Sequence, residues 1–330
     1  MEGDELRVVT IGGGTGSHAI LTGLKRHAVD ISAVVAMTDR GGSSGRLRDD
    51  FGHLPPGDVR QCLAALAPED HDSLLLRQLF SFRFAGGDGL EGHSFGNLFI
   101  TALVEITGSI DKAIDEAARI LNTKGRVIPV TLGKVELCGR LADGSVIIGE
   151  DQLDVRTEKP EVPIDYVYLD PHAFVNPAAA QAIMEADGVV LGPGDLYTSV
   201  AANLVVDGIP KALSESSAKK IFVMNLVTKR GESEGFKASD FIHMILEYLG
   251  SDDALDAVLI DSSDVPARVL RRYESEGSEL VQADLDECRR LVPKVLLLPL
   301  AHISTYLRHD PDRLAKAVLD LIGDSSASPQ

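Results

Sequence analysis

The sequence predicts an α/β protein with a mainly parallel sheet, and three observations lead to this fold class. The segment LRVVTIGGGTGS (6–17) is a short apolar run that ends in glycines, as a buried strand turning into a helix does. A second such run, DISAVVAMTD (30–39), follows one helical stretch later, so the chain opens with a βαβ unit. Strand and helix patterns alternate again from ADGVVLGPGDLYTSVAANLVV (186–206) onward.

Further patterns in the first half predict helices and a hairpin. The helical period of the apolar residues predicts helices over 73–84 and 97–122. The segment PPGDVRQCLAALA (55–67) is typical of a helix entered through a Pro-Gly turn, with Asp58 near its first position. The stretch 127–150 has strand patterns joined by an ADGS turn, which predicts a β-hairpin.

The rest of the chain continues without a linker or an internal repeat. The polar, proline-interrupted stretch 154–163 predicts a surface excursion, within an added segment near 134–165. We therefore expect a single domain over 1–324, followed by a disordered tail over 325–330. The remaining expected elements are a helix near 238–249, a strand near 257–260, a helix near 283–290, a last strand within 294–301 and a last helix within 310–322.

Composition restricts the classes of function. The formal net charge of −18 argues against nucleic acids and anionic membranes as partners, because both are polyanions. Three scattered cysteines without metal-ligand spacing predict reduced core residues. The first residues, MEGDELR, lack the apolar core of a signal peptide, and no apolar run reaches the roughly 18 residues that a membrane span needs. Together these features predict a cytoplasmic protein with no membrane insertion.

Glycine-rich loops follow several predicted strands, and open α/β sheets bind ligands at the edge where parallel strands end. The segment GTGSHA (14–19) matches the dinucleotide pattern G-x-G-x-x-A, and Asp39 stands 20 residues after Ala19. On spacing alone, Asp39 would bind a ribose hydroxyl of NAD. The alternative is a tight strand-to-helix turn without a ligand, because glycine is common wherever the backbone turns tightly.

The segment after Asp39 argues against a redox dinucleotide. RGGSSG (40–45) offers backbone amides and hydroxyls where a dinucleotide site normally leaves room for adenine. Such groups suit phosphate oxygens, and each anion contact at a helix N-terminus contributes about 0.3–1 kcal/mol. The two loops therefore predict a nucleotide or another phosphorylated ligand that contacts both.

A third loop of this kind is GPGDLYTSV (192–200). Asp195 is suited to accept a hydrogen bond from a hydroxyl or to hold a metal ion, and Thr198 and Ser199 are expected at a helix start. The alternative for these last two residues is a plain N-cap. At another strand end stands Lys229, although a loop lysine is most often only solvated. The chain contains no G-x-S-x-G, P-loop or H-E-x-x-H motif, so serine hydrolases, Walker NTPases and zincins have no support.

Seven motifs carry a resemblance to a known family. They are, in order between residues 12 and 310, GGGTG, GGSSGRLR, PPGDVRQCLAAL, GHSFGNL, GPGDLYTSV, VTKRGESEG and LRHD. Together they resemble the gluconeogenesis factor family of YvcK-like proteins, within the superfamily of the 2-phospho-L-lactate transferase CofD. The resemblance implies a three-layer α/β/α Rossmann-like core with a mostly parallel sheet, plus helical and β-hairpin additions. It also implies binding of UDP-glucose or UDP-N-acetylglucosamine, in support of cell-wall synthesis and cell shape on gluconeogenic carbon sources.

The resemblance also assigns residues to the ligand. The loops after the first two strands would hold the diphosphate, and the later motifs would line and close the pocket. The residues concerned are Gly13, Gly14, Thr15 and Gly16, then Gly42, Ser43 and Ser44, then Asp58 and Asn97, and finally Asp195, Tyr197, Thr198 and Ser199.

One position departs from the family pattern. Members usually carry two consecutive acids before GGSSG, whereas here Asp39 is followed by Arg40. In the transferase branch, acids of this region support a divalent metal, so Asp39 and Asp58 are the candidate ligands of a Mg²⁺ ion. An arginine can instead bond a phosphate directly, which leads to the hypothesis that Arg40 allows binding without a metal. The alternative is that Arg40 faces solvent or pairs with Asp39 or Asp49.

Three classes of function stay open at this point. The first is a nucleotide-sugar-binding regulator without turnover. The second is a transferase that moves a phospholactyl-type group from a nucleotide-activated donor to a deazaflavin-like acceptor. Because the chain has no tryptophan and only 5% aromatic residues, it offers little to stack on such a flat acceptor. The third is an NAD dehydrogenase, which GGSSG disfavours. A homodimer is the expected assembly by default.

Overall fold

The computed structural model of the chain describes residues 5–156 and 161–324. The expected tail over 325–330 and residues 157–160 of the expected excursion lie outside the described residues. The strands are β1 (Leu6–Gly12), β2 (Val29–Val35), β3 (Arg126–Pro129), β4 (Glu136–Leu141), β5 (Val146–Ile148), β6 (Ile164–Asp170), β7 (Gly188–Leu191), β8 (Lys219–Val223), β9 (Ala257–Asp261), β10 (Lys294–Leu298), β11 (Ala301–Ile303) and β12 (Leu307–His309).

Helices account for most of the remaining described residues. They are α1 (Gly14–Leu24), α2 (Gly42–Phe51), α3 (Gly57–Leu66), α4 (His71–Ser81), α5 (Phe95–Thr107), α6 (Ile110–Leu121), α7 (Glu150–Asp154), α8 (Pro177–Glu185), α9 (Ala202–Leu204), α10 (Ile209–Glu215), α11 (Ala238–Leu249), α12 (Ala267–Ser275), α13 (Leu285–Leu291) and α14 (Pro311–Gly323). A π-helical turn, Leu196–Ala201, precedes α9.

The main sheet has seven strands in the order β10-β9-β8-β7-β1-β2-β3, and every pairing in it is parallel. Its central strands are buried along almost their whole length, as expected when helices cover both faces. On one of these faces α1 packs between α3 and α14. The predicted three-layer α/β fold with a mainly parallel sheet is confirmed.

The strand order places a topological switch point between β1 and β7. From β1 the chain moves outward through β2 to β3, and it later returns to β7 on the other side of β1 and moves outward to β10. The loops that leave β1 and β7 therefore diverge and open a crevice beyond the carboxyl ends of these strands. In open α/β sheets this crevice is where ligands bind.

A second, antiparallel sheet is inserted between β3 and β7. It has the order β5-β4-β6, and the predicted hairpin turn joins β4 to β5. The short helix α7 follows β5 directly and lies at the crevice, where its residues line a cavity. A further antiparallel hairpin, β11–β12, precedes the last helix α14. The predicted helical and hairpin additions are thus present.

Several predicted elements need correction. The helical stretch expected over 97–122 is two helices, because Gly108 adopts the left-handed conformation (φ 78°) that ends α5 and Ser109 begins α6. The strand expected within 294–301 is not the last one, since the β11–β12 hairpin follows it. Strand β6 and the helices α2, α7, α8, α10 and α12 were not predicted. The three cysteines are buried and free, as expected. Among the described residues, no helix combines the length and apolarity required to cross a bilayer.

The contact between α1 and α14 depends on a glycine, which gives a first prediction. A Cβ on Gly23 would overlap the carbonyl oxygen of Pro311 and lie 2.8 Å from the Cβ of Ala315. We expect Gly23→Ala to lower the free energy of unfolding by about 1–3 kcal/mol, measured by urea unfolding. The control is Gly86→Ala, where a Cβ would meet nothing within 4 Å. Equal stability of the two variants would contradict this packing.

Candidate functional site

A cavity of about 420 Å³, here called the central cavity, lies at the crevice beyond β1 and β7. The loops after β1, β2 and β7 form its floor, and α7 of the inserted sheet lies across it. It brings together many residues that the sequence predicted for the ligand: Gly13, Gly14, Gly16, Asp39, Asp58, Asp195, Thr198 and Ser199. Residues from distant parts of the chain therefore meet where the motifs predicted.

Close backbone contacts hold the floor of the central cavity. A Cβ on Gly16 would overlap the carbonyl of Pro193, so only glycine allows the loops after β1 and β7 to touch at this point. Asn203, fully buried, donates from Nδ2 to the carbonyl oxygens of Gly12 (3.1 Å) and Ser199 (2.7 Å). These contacts tie the π-helical turn to the end of β1. The two loops form one rigid surface.

Asp58, in the first turn of α3, places its side chain against the N-terminal end of α1. Its carboxylate lies where a Cβ of Gly13 would be, and it accepts a hydrogen bond from the backbone N–H of Gly14. Burial, followed by the neighbouring Asp39 and Glu150 carboxylates, raises the pKa of Asp58 well above its usual range. The sequence predicted that the positive N-terminal end of α1 contacts a phosphate. In the structure the Asp58 carboxylate already contacts this end.

Asp39 is held by the loop that leads into α2. Its Oδ1 accepts from the backbone N–H of Gly41 at 2.7 Å, and the Ser44 hydroxyl also donates to its carboxylate. Burial nevertheless raises the pKa of Asp39, because these hydrogen bonds offset only part of the desolvation. A Cβ on Gly57 would overlap its Oδ2, so Asp39 lies directly against the start of α3.

A smaller cavity of about 210 Å³, here called the arginine pocket, opens beside Asp39. Gly42, Ser43 and Ser44 at the N-terminus of α2 line it, together with Asn97. Asn97 donates from Nδ2 to Ser44 Oγ at 3.2 Å, whereas its buried Oδ1 has no partner among the described residues. The cations of this pocket were not predicted: they are Arg60 of α3 and Arg83.

The arginine pocket has the features of an anion site. No side chain caps the N-terminus of α2, so its first backbone N–H groups have no partner within the helix. Burial lowers the pKa of Arg60 from its ordinary high value, with the nearby Arg83 as the next cause. Arg83 donates to the carbonyl oxygen of Gly92 at 2.6 Å, which fixes it at the rim. Two guanidinium groups and a helix N-terminus thus face one small space.

Lys229 joins three acids beside the central cavity. Its Nζ donates to Asp154 of α7 and to Asp195 (2.7 Å), and it lies 3.3 Å from Glu232. The Glu232 side chain is 1% exposed and accepts from the backbone N–H of Tyr197 at 2.8 Å. These surrounding carboxylates raise the pKa of Lys229 despite its burial. Lys229 therefore fastens α7 to the loops after β7 and β8, and its charge is already balanced.

Two predicted residues lie elsewhere. The side chain of Tyr197 is 1% exposed and donates to the carbonyl oxygen of Ile164 at 3.4 Å, so it belongs to the core. The guanidinium of Arg40 lies 2.9 Å from Glu136 and 3.9 Å from Asp49. This geometry agrees with the alternative of an ion pair and not with a phosphate contact. The side chain of Thr15 lies outside the described part of the structure.

The N-cap alternative for Thr198 and Ser199 also fails. The cap position of the π-helical turn is Asp195, and its first i→i+5 bond runs from the N–H of Val200 to the carbonyl oxygen of Asp195 at 3.0 Å. Both hydroxyl residues lie inside the turn and line the central cavity. They are free of the cap role and available to a ligand.

Comparisons with known proteins show the family to which this chain is related. A family model described as 2-phospho-L-lactate transferase CofD matches residues 8–300. The chain belongs to the CofD family. A protein of Nostoc sp. is 43% identical over 319 residues, which cover 96% of this chain and 69% of that protein. The gluconeogenesis factor of Bacillus subtilis is 36% identical over 97% of this chain and 99% of its own length.

A solved structure also supports membership of the CofD family. A crystal structure of a Bacillus halodurans protein superposes on this CofD-family chain with a TM-score of 0.90 at 36% identity, covering 96% of this chain and 100% of the other. The family predicted from the seven motifs is confirmed. The gluconeogenesis factors of Bacillus subtilis and Halalkalibacterium halodurans are similar to this chain over 99% and 98% of their own length.

Sequence reasoning missed three acids of this CofD-family site. Glu150, Asp151 and Asp154 of α7 line the central cavity, although their segment was predicted only as a surface excursion. With Asp39, Asp58 and Asp195 they make six carboxylates among the described lining residues, which include no lysine, arginine or histidine. The signal that was available is the acidic run GEDQLD directly after the hairpin.

The crowding of carboxylates gives a pH prediction. Burial, followed by Asp39, raises the pKa of Glu150 from 4.5 to about 8. Between these two values the folded state keeps a proton that the unfolded state releases, so this group lowers stability as pH rises through the window. We expect Glu150→Gln to raise the melting temperature relative to wild type at pH 8, and by much less at pH 5, with a chelator present.

The matched control for Glu150→Gln is Asp88→Asn, which removes one carboxylate from an exposed loop. Its difference from wild type should be the same at both pH values. A constant Glu150→Gln difference between pH 5 and pH 8 would show that Glu150 is ionised throughout in the folded state.

Proposed function

We propose that this protein binds a nucleotide sugar of the UDP-glucose or UDP-N-acetylglucosamine type together with a divalent cation. The observation that carries the proposal is the direct contact between the six-carboxylate central cavity and the arginine pocket at the switch point of the sheet. A ligand that carries both phosphates and hydroxyl groups matches this pairing. As the gluconeogenesis factors similar to it suggest by name, the binding serves carbon-source use, and we propose a role in cell-wall synthesis and cell shape.

The arginine pocket supports the phosphate part of this proposal. Arg60 and Arg83 provide two positive charges, and the uncapped N-terminus of α2 adds backbone N–H groups. Guanidinium groups bond phosphate through paired N–H donors, and a helix N-terminus favours the same charge. The positive charge that the sequence assigned to Arg40 is therefore provided by Arg60 and Arg83.

The central cavity supports the cation. Magnesium is usually held by one or two carboxylates, with substrate phosphates and water completing its octahedron. Asp39 and Asp58 fit this pattern, because burial and then the Asp39 carboxylate raise the pKa of Asp58, and a shared cation would remove that repulsion. Among the described residues no group of three or more acids, histidines or cysteines is arranged to hold a metal ion, so the protein would supply at most two ligands. When bound, the ion would neutralise the diphosphate beside these acids.

The remaining acids suit a sugar. Carboxylates accept hydrogen bonds from hydroxyl groups, and Glu150, Asp151 and Asp195 face the central cavity beside Thr198 and Ser199. Glu150 can also donate, because its raised pKa of about 8 leaves it protonated at neutral pH. This mixture of donors and acceptors matches a polyol better than a second phosphate.

The family match favours a second candidate, a transferase of the 2-phospho-L-lactate type. Such an enzyme would use the same phosphate and metal groups but needs a flat surface for a deazaflavin acceptor. The described lining residues of the central cavity and the arginine pocket include no phenylalanine, tyrosine or tryptophan. Nucleotide-sugar binding therefore has the better support.

The cation requirement is tested by titration calorimetry with UDP-glucose. We expect chelation to raise the Kd of the wild type at least tenfold, which corresponds to about 1.4 kcal/mol. Asp58→Asn should bind weakly in both conditions, because one of the two expected metal ligands is lost. The control is Asp253→Asn in an exposed loop, which should behave as wild type. Equal affinity with Mg²⁺ and with the chelator would contradict the metal and restore the metal-free hypothesis.

The two hydroxyl residues of the π-helical turn are tested separately. We expect Thr198→Val and Ser199→Ala each to raise the Kd for UDP-glucose about three- to tenfold, since each removes one hydrogen bond to the ligand. Melting temperatures should change little, because neither residue caps a helix. Ser214→Ala on the exposed face of α10 is the control. Unchanged affinity in both variants would remove these residues from the site.

A further inference from the structure

A second large cavity, here called the side cavity, adjoins the central cavity on the other side of the glycine contact. It measures about 500 Å³ and shares Gly16, Gly194 and Asp195 with the central cavity. The loops after β1, β7 and β8 form it together with the β11–β12 hairpin. One ligand that crosses the glycines would therefore reach both cavities.

The walls of the side cavity differ in character from those of the central cavity. They include the apolar side chains of Ala19, Leu226, Val227 and Leu307, and Asp195 is the one carboxylate among the described lining residues, which also include Lys229, Arg308, His18 and His302. The apolar part of this wall favours a flat, weakly charged group. The part of the ligand that suits this cavity is the least polar one.

His309, from the motif LRHD that the proposed function leaves without a role, presents an unused acceptor in this cavity. The residue is 8% exposed, and its ring is hydrogen-bonded to the backbone carbonyl of Met224. Its Nε2 is buried without a hydrogen-bond partner among the described residues. Because the carbonyl of Met224 accepts the proton of the other ring nitrogen, Nε2 carries a free lone pair.

The charge state of His309 agrees with this assignment. Burial lowers the pKa of His309 to about 4, with Asp261 acting in the opposite direction. The ring is therefore neutral at physiological pH, and its Nε2 accepts a hydrogen bond without adding charge. A buried acceptor that lacks a partner costs free energy, which a ligand donor would restore.

Asn225 provides a second unused acceptor in the same cavity. Strand β8 ends at Val223, and Asn225 is the second residue after it, following Met224. Its Oδ1 is buried without a partner in the part of the chain that the structure describes. Met224 thus lies next to Asn225 in sequence and bonds His309 across the cavity wall. Both acceptors are fixed by the end of the same strand.

We propose that the nucleoside of the bound nucleotide occupies the side cavity, where His309 Nε2 and Asn225 Oδ1 accept hydrogen bonds from its base N–H or ribose hydroxyl groups. This inference rests on the proposed nucleotide binding and assigns the orientation of the ligand. The apolar walls contact the base, the ligand crosses the shared Gly16 and Gly194, and its phosphates and sugar lie in the arginine pocket and the central cavity.

The test uses UDP as the probe, in the presence of Mg²⁺, with two analogues. 3-Methyl-UDP lacks the base N–H donor, and 2′-deoxy-UDP lacks a ribose hydroxyl. The variant His309→Asn keeps a short amide that can still donate to the Met224 carbonyl but places no atom at the Nε2 position. Asn225→Leu, of similar volume, is a second and independent variant that removes the other acceptor.

We expect His309→Asn or Asn225→Leu to raise the Kd for UDP about tenfold with an unchanged melting temperature. In wild type, one of the two analogues should bind about tenfold more weakly than UDP, and that difference should disappear in the variant that lost its acceptor. This disappearance identifies which donor the residue meets, and a purely structural role would not produce it.

Two results would overturn the assignment. They are wild-type affinity for UDP in both variants, and analogue differences that stay the same in wild type and in the variants. Either result would leave the proposed function intact, provided that wild type binds UDP. If wild type binds neither UDP nor UDP-glucose, the proposed function itself fails, so the two failures are distinguishable.

Discussion

Repulsion among the carboxylates at one edge of the sheet is the interaction on which the rest of the site depends. Besides burial, Asp39 raises the pKa values of Asp58 and Glu150, and Glu150 also raises that of Asp58, in a chain that already carries a net charge of −18. Such repulsion is unfavourable to folding, and the fold offsets part of it locally. Lys229 balances Asp154 and Asp195, and the backbone N–H groups of Gly14 and Gly41 bond the two acids of the floor. We propose that a cation from solution offsets the remainder.

The sheet order decides where these charges meet. Because β1 and β7 are neighbours whose loops diverge, their glycines touch, and this contact separates two spaces of different character. On one side the loops after β1 and β2 bring acids under α7, and on the other the loops after β7 and β8 and the β11–β12 hairpin bring apolar and basic side chains with one carboxylate among the described lining residues. The proposed ligand, with a base at one end and a phosphorylated, hydroxylated part at the other, matches this division.

What the sequence could predict is local, and what it could not depends on tertiary packing. Glycines and acids directly after apolar strands predicted the floor of the site, because parallel strands end at one edge. Tyr197 was misplaced because the π-helical turn rotates it into the core while Thr198 and Ser199 face the cavity. Arg40 pairs instead with Glu136 of the inserted sheet, a partner distant in sequence that no local pattern specifies. The acids of α7 come from a separate sheet, whose position no local pattern specifies.

The cations of the site fall into two groups: those paired with acids of the protein and those that face the arginine pocket. Arg40 and Arg48 both bond Glu136, which fastens the inserted sheet to α2, and Lys229 fastens α7 of the same sheet to the loops after β7 and β8. These cations are paired within the protein and hold the carboxylates of α7 over the cavity. Arg60 and Arg83 instead face the arginine pocket beside the uncapped α2. The first group holds the walls in place, and the second provides the positive charge for the phosphorylated ligand that we propose.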